Sequence, residues 1–268
     1  MNPKSHSFSR ISTFSEICER RHAYDALKGW SSSLPMERGS QIHKALEHLA
    51  EQMSFGQTLQ AAVEHVLMDL PAGPLSEAQL ADYVHRAVPF FEHVTPEKGG
   101  VEQWFEYIKG LPLVGKIDLI SSTTPILDSY GRPVGSSNTR CVLDHKTIGR
   151  SDKIKTESEA KRSLQLKIYS MATGAMNAGF VYYLPYGDVR ATIVTFEERD
   201  LEFARIWLRR TIDVIESRWK EAHELGQTAP DFNGYNLSPF SLAEHGHFLC
   251  SAKYCDHWLD CLGKDIDG

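Results

Sequence analysis

The sequence predicts an α/β protein in which helices flank a β-sheet. Three features support this fold class: a long amphipathic helix near the start, two short apolar runs with strand composition in the middle, and a second long helix at 197–224. The chain has 268 residues, of which 41% are hydrophobic and 24% are charged, ordinary values for a globular protein with a buried core. This length suits one large domain or two small ones, and we expect one domain spanning residues 1–268.

The first predicted region is helical and covers residues 36–95. Its first helix, at 36–54, has a buried stripe of apolar residues at helical spacing, namely Ile42, Ala45, Leu46, Leu49 and Met53. A Pro-Ala-Gly-Pro breaker separates two further helices, at 57–70 and 75–95. A shorter helical pattern at 8–30 precedes this region.

The first long helix carries one histidine beside its apolar stripe. His43 shares a helix face with Glu47, one turn later. Gly39, one turn before the histidine, permits close approach of the helix start to another backbone. From the residues alone, His43 has two interpretations: a satisfied histidine at the core edge, or a metal ligand.

The second predicted region, residues 101–195, supplies the sheet. Aromatic and β-branched residues predict a strand at 101–109, and an apolar run predicts the next strand at 111–120. A polar connection with a candidate short strand at 125–127 then leads to an apolar strand at 141–147. We expect this last strand to pair antiparallel with the strand at 111–120.

Each of these two apolar strands delivers a carboxylate near its end. They are Asp118 and Asp144, and Lys146 follows two residues later, on the same side of the extended chain. Two carboxylates on neighbouring strands can hold a hard divalent cation, and a lysine beside them can stabilise an anionic transition state. A salt-bridged strand end is the alternative interpretation.

The rest of the second region alternates helix and strand. A helix is predicted at 157–177, with the buried stripe Leu164, Ile168, Met171 and Ala175. Gln165 and Tyr169 lie one turn apart on an adjacent face, where they could position Lys146, contact a nucleotide backbone, or simply form an exposed polar pair. Two strands surround a Pro-Tyr-Gly-Asp turn within 178–195, before the long helix buries Leu201, Ala204, Leu208, Ile212, Ile215 and Trp219.

Charge and hydropathy limit the classes of partner. The net charge of −6 argues against a protein that coats nucleic acid with its whole surface, but it allows a local basic groove. Residues 140–167 hold eight Lys and Arg against four acids, which fits such a groove or a solvated helix face. Without a long apolar span or an apolar signal core, we expect a cytoplasmic protein with no membrane partner.

The cysteines suggest a second metal site. Three of the five, Cys250, Cys255 and Cys261, lie in a polar tail at 245–262, a pattern that favours metal ligation over disulfides in a cytosolic chain. A fourth ligand must come from elsewhere, and Cys18 is the first candidate, with His247 and His257 as alternatives. Cys18 is also consistent with a small buried hydrophobe.

Four short motifs connect these features to a known family. In order they are Gly39-x-x-x-His43, Gly115-x-x-Asp118, Asp144-His145-Lys146 and Gln165-x-x-x-Tyr169. The series resembles the RecB-like branch of the PD-(D/E)XK nuclease superfamily, which includes phage exonucleases and CRISPR adaptation nucleases. The resemblance covers about residues 8–262, and the order and separation of the motifs make it specific.

The resemblance implies a restriction-endonuclease-like core, a central mixed β-sheet flanked by helices. It further implies that His43, Asp118 and Asp144 bind a catalytic Mg²⁺ or Mn²⁺, with the His145 carbonyl as a further ligand. Lys146 would orient the attacking water or stabilise charge on the phosphate. Gln165 and Tyr169 would support that lysine and the DNA strand.

One cysteine before the motifs and three after them also resemble the iron–sulfur members of that branch. By this resemblance Cys18, Cys250, Cys255 and Cys261 would hold a [4Fe–4S] cluster that ties the two chain ends together. The Cys250-x4-Cys255 spacing is wider than the usual Cys-x2-Cys, so a structural zinc stays open as the alternative. Members of the family more often have an aromatic residue such as Tyr at the position of His145. The side chain of His145 is expected to point away from the metal.

The resemblance implies a divalent-metal-dependent DNA nuclease, in particular an exonuclease on single-stranded ends in recombination, repair or phage replication. The basic residues expected to contact DNA are Arg150, Lys153, Arg162 and Lys167. A helicase or recombination protein is an expected partner, because the sequence has no Gly-x-x-x-x-Gly-Lys-Ser/Thr loop. Two alternatives are a nuclease-fold DNA-binding or recombination partner module with little activity, and a metal-dependent hydrolase of another substrate. The complete Asp/Asp/Lys set favours an enzyme.

Overall fold

A computed structural model describes residues 6–29, 32–228, 234–241, 255, 257 and 261. Its strands, in chain order, are β1 (Pro96–Ile108), β2 (Leu111–Ser121), β3 (Thr124–Leu127), β4 (Pro133–Ser137), β5 (Cys141–Thr147), β6 (Asn177–Tyr183) and β7 (Arg190–Thr195). Five of them form one sheet in the order β1-β2-β5-β6-β7, while β3 and β4 form a separate hairpin.

The central sheet is mixed. Strand β2 pairs antiparallel with β5, β5 pairs parallel with β6, and β6 pairs antiparallel with β7. A parallel pair needs a crossover connection, and two helices between β5 and β6 provide it. The antiparallel β2–β5 pairing confirms the arrangement expected for the two strands that carry Asp118 and Asp144.

The described residues also form α-helices. They are α1 (Phe8–Ser12), α2 (Glu19–Lys28), α3 (Leu34–Ser54), α4 (Leu59–Met68), α5 (Glu77–Phe91), α6 (Glu157–Arg162), α7 (Leu164–Thr173) and α8 (Glu198–Gly226), with a π-helical turn at Thr13–Ile17 and a 3-10 turn at Ser151–Lys153. The apolar stripes of α3, α4 and α5 pack with Leu119, Leu143 and Val181 into one core. The predicted fold class, a central mixed sheet flanked by helices, is confirmed and is consistent with a restriction-endonuclease-like fold.

The predicted helix at 157–177 is wrong in its continuity and in its end. Ser163 interrupts it, because this residue adopts an extended conformation and its hydroxyl caps α7 by accepting from the Leu166 N–H. Gly174 ends α7 in the left-handed region, and β6 begins at Asn177. The candidate short strand at 125–127 is present as part of β3, but its partner β4 was not predicted.

The chain divides into two compact units, which we describe separately. The sheet unit comprises residues 32–109 and 115–204, and the terminal unit comprises residues 1–31, 110–114 and 205–268. The expectation of a single domain over 1–268 stays a prediction. Across the stretches that the structure describes, no helix combines the length and the apolar character needed to cross a membrane.

Candidate active site

The register of β2 and β5 brings the two predicted carboxylates to the same end of the ladder. Leu119 pairs with Leu143, so Asp118 and Asp144 are each the next residue on their strands. Asp118 does not continue the ladder. Its Oδ2 instead accepts a hydrogen bond from the backbone N–H of His145 at 2.8 Å. The strands therefore open at this point, and a side-chain oxygen takes over one backbone donor.

His43 approaches the same carboxylate from α3. Its Nδ1 lies 3.8 Å from Asp118 Oδ2. Burial lowers the pKa of His43, an effect that the charge of Asp144 and a hydrogen bond with the backbone of His145 partly oppose. The imidazole is therefore neutral near pH 7, which is the form that binds a metal ion.

Asp144 is held by the helix that follows β5. Gln165 of α7 donates from Nε2 to Asp144 Oδ1 at 2.7 Å and to the Tyr169 hydroxyl at 3.0 Å. Burial and the negative charge of Asp144 raise the pKa of the Tyr169 hydroxyl, so it stays protonated. The predicted pairing of Gln165 and Tyr169 on one helix face thus serves to fix Asp144.

Lys146 completes the group of predicted residues. Its Nζ lies 2.6 Å from Asp144 Oδ2 and 5.8 Å from the centre of the Phe180 ring. This contact is an ion pair without hydrogen-bond geometry, and Asp144 Oδ2 is a buried oxygen with no hydrogen-bond partner among the described residues. Because Asp144 and Phe180 are paired across β5 and β6, all three side chains project from one face of the sheet.

His145 lies on the opposite face of the sheet. Its ring stacks on Phe91, and its Nδ1 lies 3.0 Å from the Tyr183 hydroxyl. Burial, with smaller effects from His43 and Lys146, lowers the pKa of His145 to about 3. Its side chain is therefore a neutral part of the core, in agreement with the expectation that it points away from the metal.

One residue that supports the site, Phe105, was missed from sequence. Phe105 of β1 packs edge-on against Tyr169, with ring centres 6.1 Å apart. A Cβ at Gly115 would lie 2.5 Å from Phe105 Cζ, so the Phe105 ring can occupy this position only when residue 115 is a glycine. The glycine of the Gly-x-x-Asp motif was the available signal, because a glycine inside a strand marks close approach of another group.

Glu102 adds negative charge near the site. It forms an ion pair with Lys116, and its charge acts on both His43 and Asp118. Its backbone is in the left-handed region, with φ of 49°, which marks an irregularity within β1.

A family model described as the PD-(D/E)XK nuclease superfamily matches residues 5–257. The chain belongs to this superfamily. It therefore has a nuclease fold, and the predicted family is confirmed at that level. No curated protein matches the sequence.

Solved structures similar to this superfamily member were also found. The crystal structure of SSO0001 matches with 14% identity and a TM-score of 0.37, covering 80% of this chain and 78% of that one. A candidate exonuclease from Eubacterium rectale matches with 13% identity and a TM-score of 0.43, covering 80% of each chain.

Members of the PD-(D/E)XK superfamily usually use Mg²⁺ or Mn²⁺. Among the described residues, no group of three or more His, Cys, Asp or Glu side chains is already arranged around a metal position. The donor chemistry nevertheless fits a hard cation. Burial and the charge of Asp144 raise the pKa of Asp118 well above its ordinary value, and Asp144 Oδ2 has an ion pair with Lys146 but no hydrogen-bond partner among the residues that the structure describes. A cation shared by both carboxylates would offset that repulsion.

The residues predicted to contact DNA in this nuclease have different placements. Arg150, Lys153 and Arg162 are exposed on the connection from β5 to α7. Arg150 pairs with Asp152, with nitrogen and oxygen 3.0 Å apart. Lys167 lies 6.0 Å from the Phe196 ring, and burial lowers its pKa. Helical geometry places Lys167 on the opposite side of α7 from Gln165.

The predicted cysteine site is only partly covered by the structure. Cys250 and His247 lie outside the described residues, as does most of the tail at 245–262. Cys18 caps α2, where its Sγ accepts from the Arg21 N–H at 3.4 Å. His257 Nε2 lies 2.8 Å from Asp25 Oδ1, and its ring stacks on Tyr24. No cysteine metal site occurs among the residues described, so the cluster stays a prediction.

Proposed function

We propose that this protein is a divalent-metal-dependent DNA exonuclease that acts on single-stranded ends. The observation that carries the proposal is the convergence of Asp118, Asp144 and Lys146 at one end of the β2–β5 ladder. A nuclease fold is established by the family, and the metal dependence, the exonuclease mode and the strand preference are the proposed parts.

The donor set would be His43, Asp118, Asp144 and the carbonyl of His145. A Mg²⁺ or Mn²⁺ ion held there would supply charge to polarise a phosphoryl oxygen and acidify a water. A histidine among the ligands makes Mn²⁺ more acceptable than it is in an all-oxygen site.

The remaining side chains act on the phosphate and on each other. Lys146 places a positive charge beside Asp144, where it can stabilise the negative charge that develops on a phosphodiester during hydrolysis. Gln165 keeps Asp144 oriented through its 2.7 Å hydrogen bond, and Tyr169 limits the rotation of that amide. A preorganised charge of this kind needs little rearrangement when the reaction occurs.

The test is a cleavage assay on end-labelled DNA with Mg²⁺ or Mn²⁺. We expect stepwise shortening of linear single strands, and no cleavage of a closed single-stranded circle. Lys146→Ala should abolish cleavage while DNA binding and folding persist. Lys155→Ala is a suitable control, because Lys155 Nζ lies 4.9 Å from the same Phe180 ring. Activity that survives in Lys146→Ala would contradict the assignment, and cleavage of the circle would identify an endonuclease.

The biological setting and the second metal site are also proposed. The order of the motifs supports a role in DNA recombination, repair or phage replication, with a helicase or recombination protein as partner. Cys18, Cys250, Cys255 and Cys261 are proposed to hold a [4Fe–4S] cluster, with zinc as the alternative. Anaerobic purification followed by iron, sulfide and zinc analysis tests this. A protein that holds none of the three would overturn it.

A further inference from the structure

A cavity of about 460 Å³ lies within the sheet unit at the end of β5, the strand that carries Asp144 and Lys146. It is lined by the start of α3, by α5, by the chain just after β5 and by the turn between β6 and β7. Thr147, in its wall, directly follows Lys146 but points to the other face of the sheet, toward the start of α3. Gly39, also in the wall, lies one helical turn before His43. Its volume falls within the range of about 300–1,000 Å³ that is typical of small-ligand sites.

One aromatic side chain at the cavity rim is almost completely exposed. Tyr186, at the tip of the turn between β6 and β7, is 90% exposed. The backbone on either side of it is anchored, because Arg86 of α5 donates to the Leu184 carbonyl at 2.6 Å and to the Gly187 carbonyl at 3.2 Å. Asp82 and the Tyr83 ring in turn hold the Arg86 guanidinium. The phenol is therefore presented to solvent by a fixed turn.

The cavity also has a basic group at its rim. Arg38 is exposed at the start of α3, in the same wall as Gly39. Gln79 of α5 contributes an amide to the lining. An aromatic side chain can stack on the flat face of a nucleobase, and a cation can bind a phosphate. An amide can hydrogen-bond to the edge of the base.

We propose that this cavity binds one unpaired nucleotide of the DNA strand where that strand passes the end of β5, on the α3 side of the sheet. Tyr186 stacks on the base, and Arg38 contacts a backbone phosphate. A base inside a duplex shows only its edges in the grooves, so a stacking site of this kind selects single-stranded ends. The inference rests on the proposed nuclease function and assigns the part of the protein that recognises the substrate.

Binding measured in the cleavage-deficient Lys146→Ala background tests the proposal. With a fluorescent single-stranded oligonucleotide, we expect Tyr186→Ala to weaken binding about tenfold, whereas Tyr186→Trp retains it. Tyr130→Ala is the matched control, because Tyr130 is also an exposed tyrosine, at 65%, but lies in the β3–β4 hairpin turn. Double-stranded DNA of the same sequence should show little difference among these variants.

The salt dependence of binding separates the two roles. Arg38→Ala should reduce the slope of log K against log salt by about 0.7, the value for one phosphate contact on a single strand. Tyr186→Ala should leave that slope unchanged, because stacking releases no counterion. Arg199→Ala serves as the control, since Arg199 is an exposed arginine that pairs with Glu197.

Equal affinity of Tyr186→Ala and Tyr130→Ala for the single strand would overturn this inference, even if the wild-type protein cleaves DNA. Failure of the proposed function would show differently, as an absence of Mg²⁺- or Mn²⁺-dependent cleavage by the wild-type protein. Blocking the cavity gives a second check. A Cβ at Gly149 meets no atom within 4 Å, so Gly149→Leu can occupy part of the space without a clash at its base and without adding an aromatic face. Unchanged binding in that folded variant would also contradict the proposal.

Discussion

Asp118 Oδ2 accepts a hydrogen bond from the backbone N–H of His145, at 2.8 Å, where the β2–β5 ladder ends. One contact thereby joins the two strands that carry the proposed metal ligands. It also places a carboxylate in a buried position beside Asp144, where both burial and like charge raise its pKa. The geometry that suits a cation is therefore unfavourable for the folded protein without one.

Asp118→Asn tests whether the buried charge of Asp118 destabilises the metal-free protein. The amide oxygen can still accept from the His145 N–H, while the buried negative charge is removed. In EDTA we expect the free energy of unfolding of the variant to be about 1 kcal/mol larger than that of the wild type. With metal present, the variant should lack cleavage activity. Urea denaturation followed by circular dichroism measures the first quantity. Asp152→Asn, at an exposed site, should change it by less than about 0.5 kcal/mol. A less stable Asp118→Asn protein would refute the explanation.

Mn²⁺ should stabilise the wild type but not variants that lack one of the two carboxylates. Because a ligand that binds only the folded state stabilises it, Mn²⁺ should raise the Tm of the wild type in a concentration-dependent way. Asp118→Asn and Asp144→Asn should show little or no rise. Differential scanning fluorimetry with Mn²⁺ titrated against an EDTA blank provides the measurement. A similar rise in all three proteins would place the ion elsewhere.

Gly39 gives a prediction about packing between α3 and β5. A Cβ at this position would lie 2.8 Å from Thr147 Oγ1, and no other atom would come within 4 Å. Gly39→Ala should therefore destabilise the wild type by about 1 kcal/mol or more. In a Thr147→Ala background the same change should stabilise by about 0.5–1 kcal/mol, because alanine is the better helix former. A double-mutant cycle by urea denaturation checks this change of sign.

Sequence patterns were sufficient for the elements that have one strong periodicity. The helix that begins at Leu34 and the strands that end near Asp118 and Asp144 follow from apolar spacing and composition alone. The break at Ser163 did not follow, because the apolar stripe continues across it and only the hydroxyl cap ends the first segment. Boundaries of this kind depend on single hydrogen bonds that periodicity does not report.

The residues of the site were predictable to different degrees. Asp118, Asp144 and Lys146 stand in short motifs whose order is visible in the sequence. Phe105 could not be identified in the same way, because it acts through a ring contact with Tyr169 that depends on the packing of two distant elements. Tyr186 likewise occupies an ordinary turn sequence, and only its place on the cavity rim distinguishes it.

Two buried histidines of the terminal unit predict how stability depends on pH. Burial, with a smaller effect from Arg10, lowers the pKa of His6 to about 4, and burial lowers that of His22 to about 4. The unfolded chain, with imidazole pKa values near 6.5, therefore takes up protons first as the pH falls. The contribution of these two imidazoles to stability should be full above pH 6.5, decrease between 6.5 and about 4, and level off below that.

Unfolding in urea at several pH values measures this loss, which is expected to be on the order of 1–3 kcal/mol for each imidazole. His22→Gln should flatten the curve, although it costs some stability at pH 7 because the His22 ring bonds the Arg10 carbonyl. His65→Gln, on the exposed side of α4, is the control and should leave the curve unchanged. Equal loss of stability between pH 6.5 and 4 in the wild type and in His22→Gln would disprove the assignment.

Phe105 and Gly115 predict an effect on turnover that arises through positioning. Phe105→Ala removes the ring that packs against Tyr169, and the hydrogen-bonded chain from Tyr169 through Gln165 to Asp144 then loses its support. We expect kcat to fall about tenfold or more, with KM nearly unchanged, if the ring acts only by holding Tyr169 in place. Trp104→Ala, at the exposed neighbouring position, should have little effect on kcat.

Gly115→Ala should also lower kcat, because it displaces the Phe105 ring instead of removing it. The added methyl would collide with the Phe105 ring, since a Cβ there lies 2.5 Å from Cζ and 2.9 Å from Cε1. The Gly115→Ala variant should lose both activity and some stability. Replacing the Phe105 ring by the smaller leucine side chain, in the double variant Gly115→Ala/Phe105→Leu, should recover part of the stability but not the full kcat. Recovery of both to wild-type levels would show that the ring has no positioning role, and that Gly115 only avoids a clash.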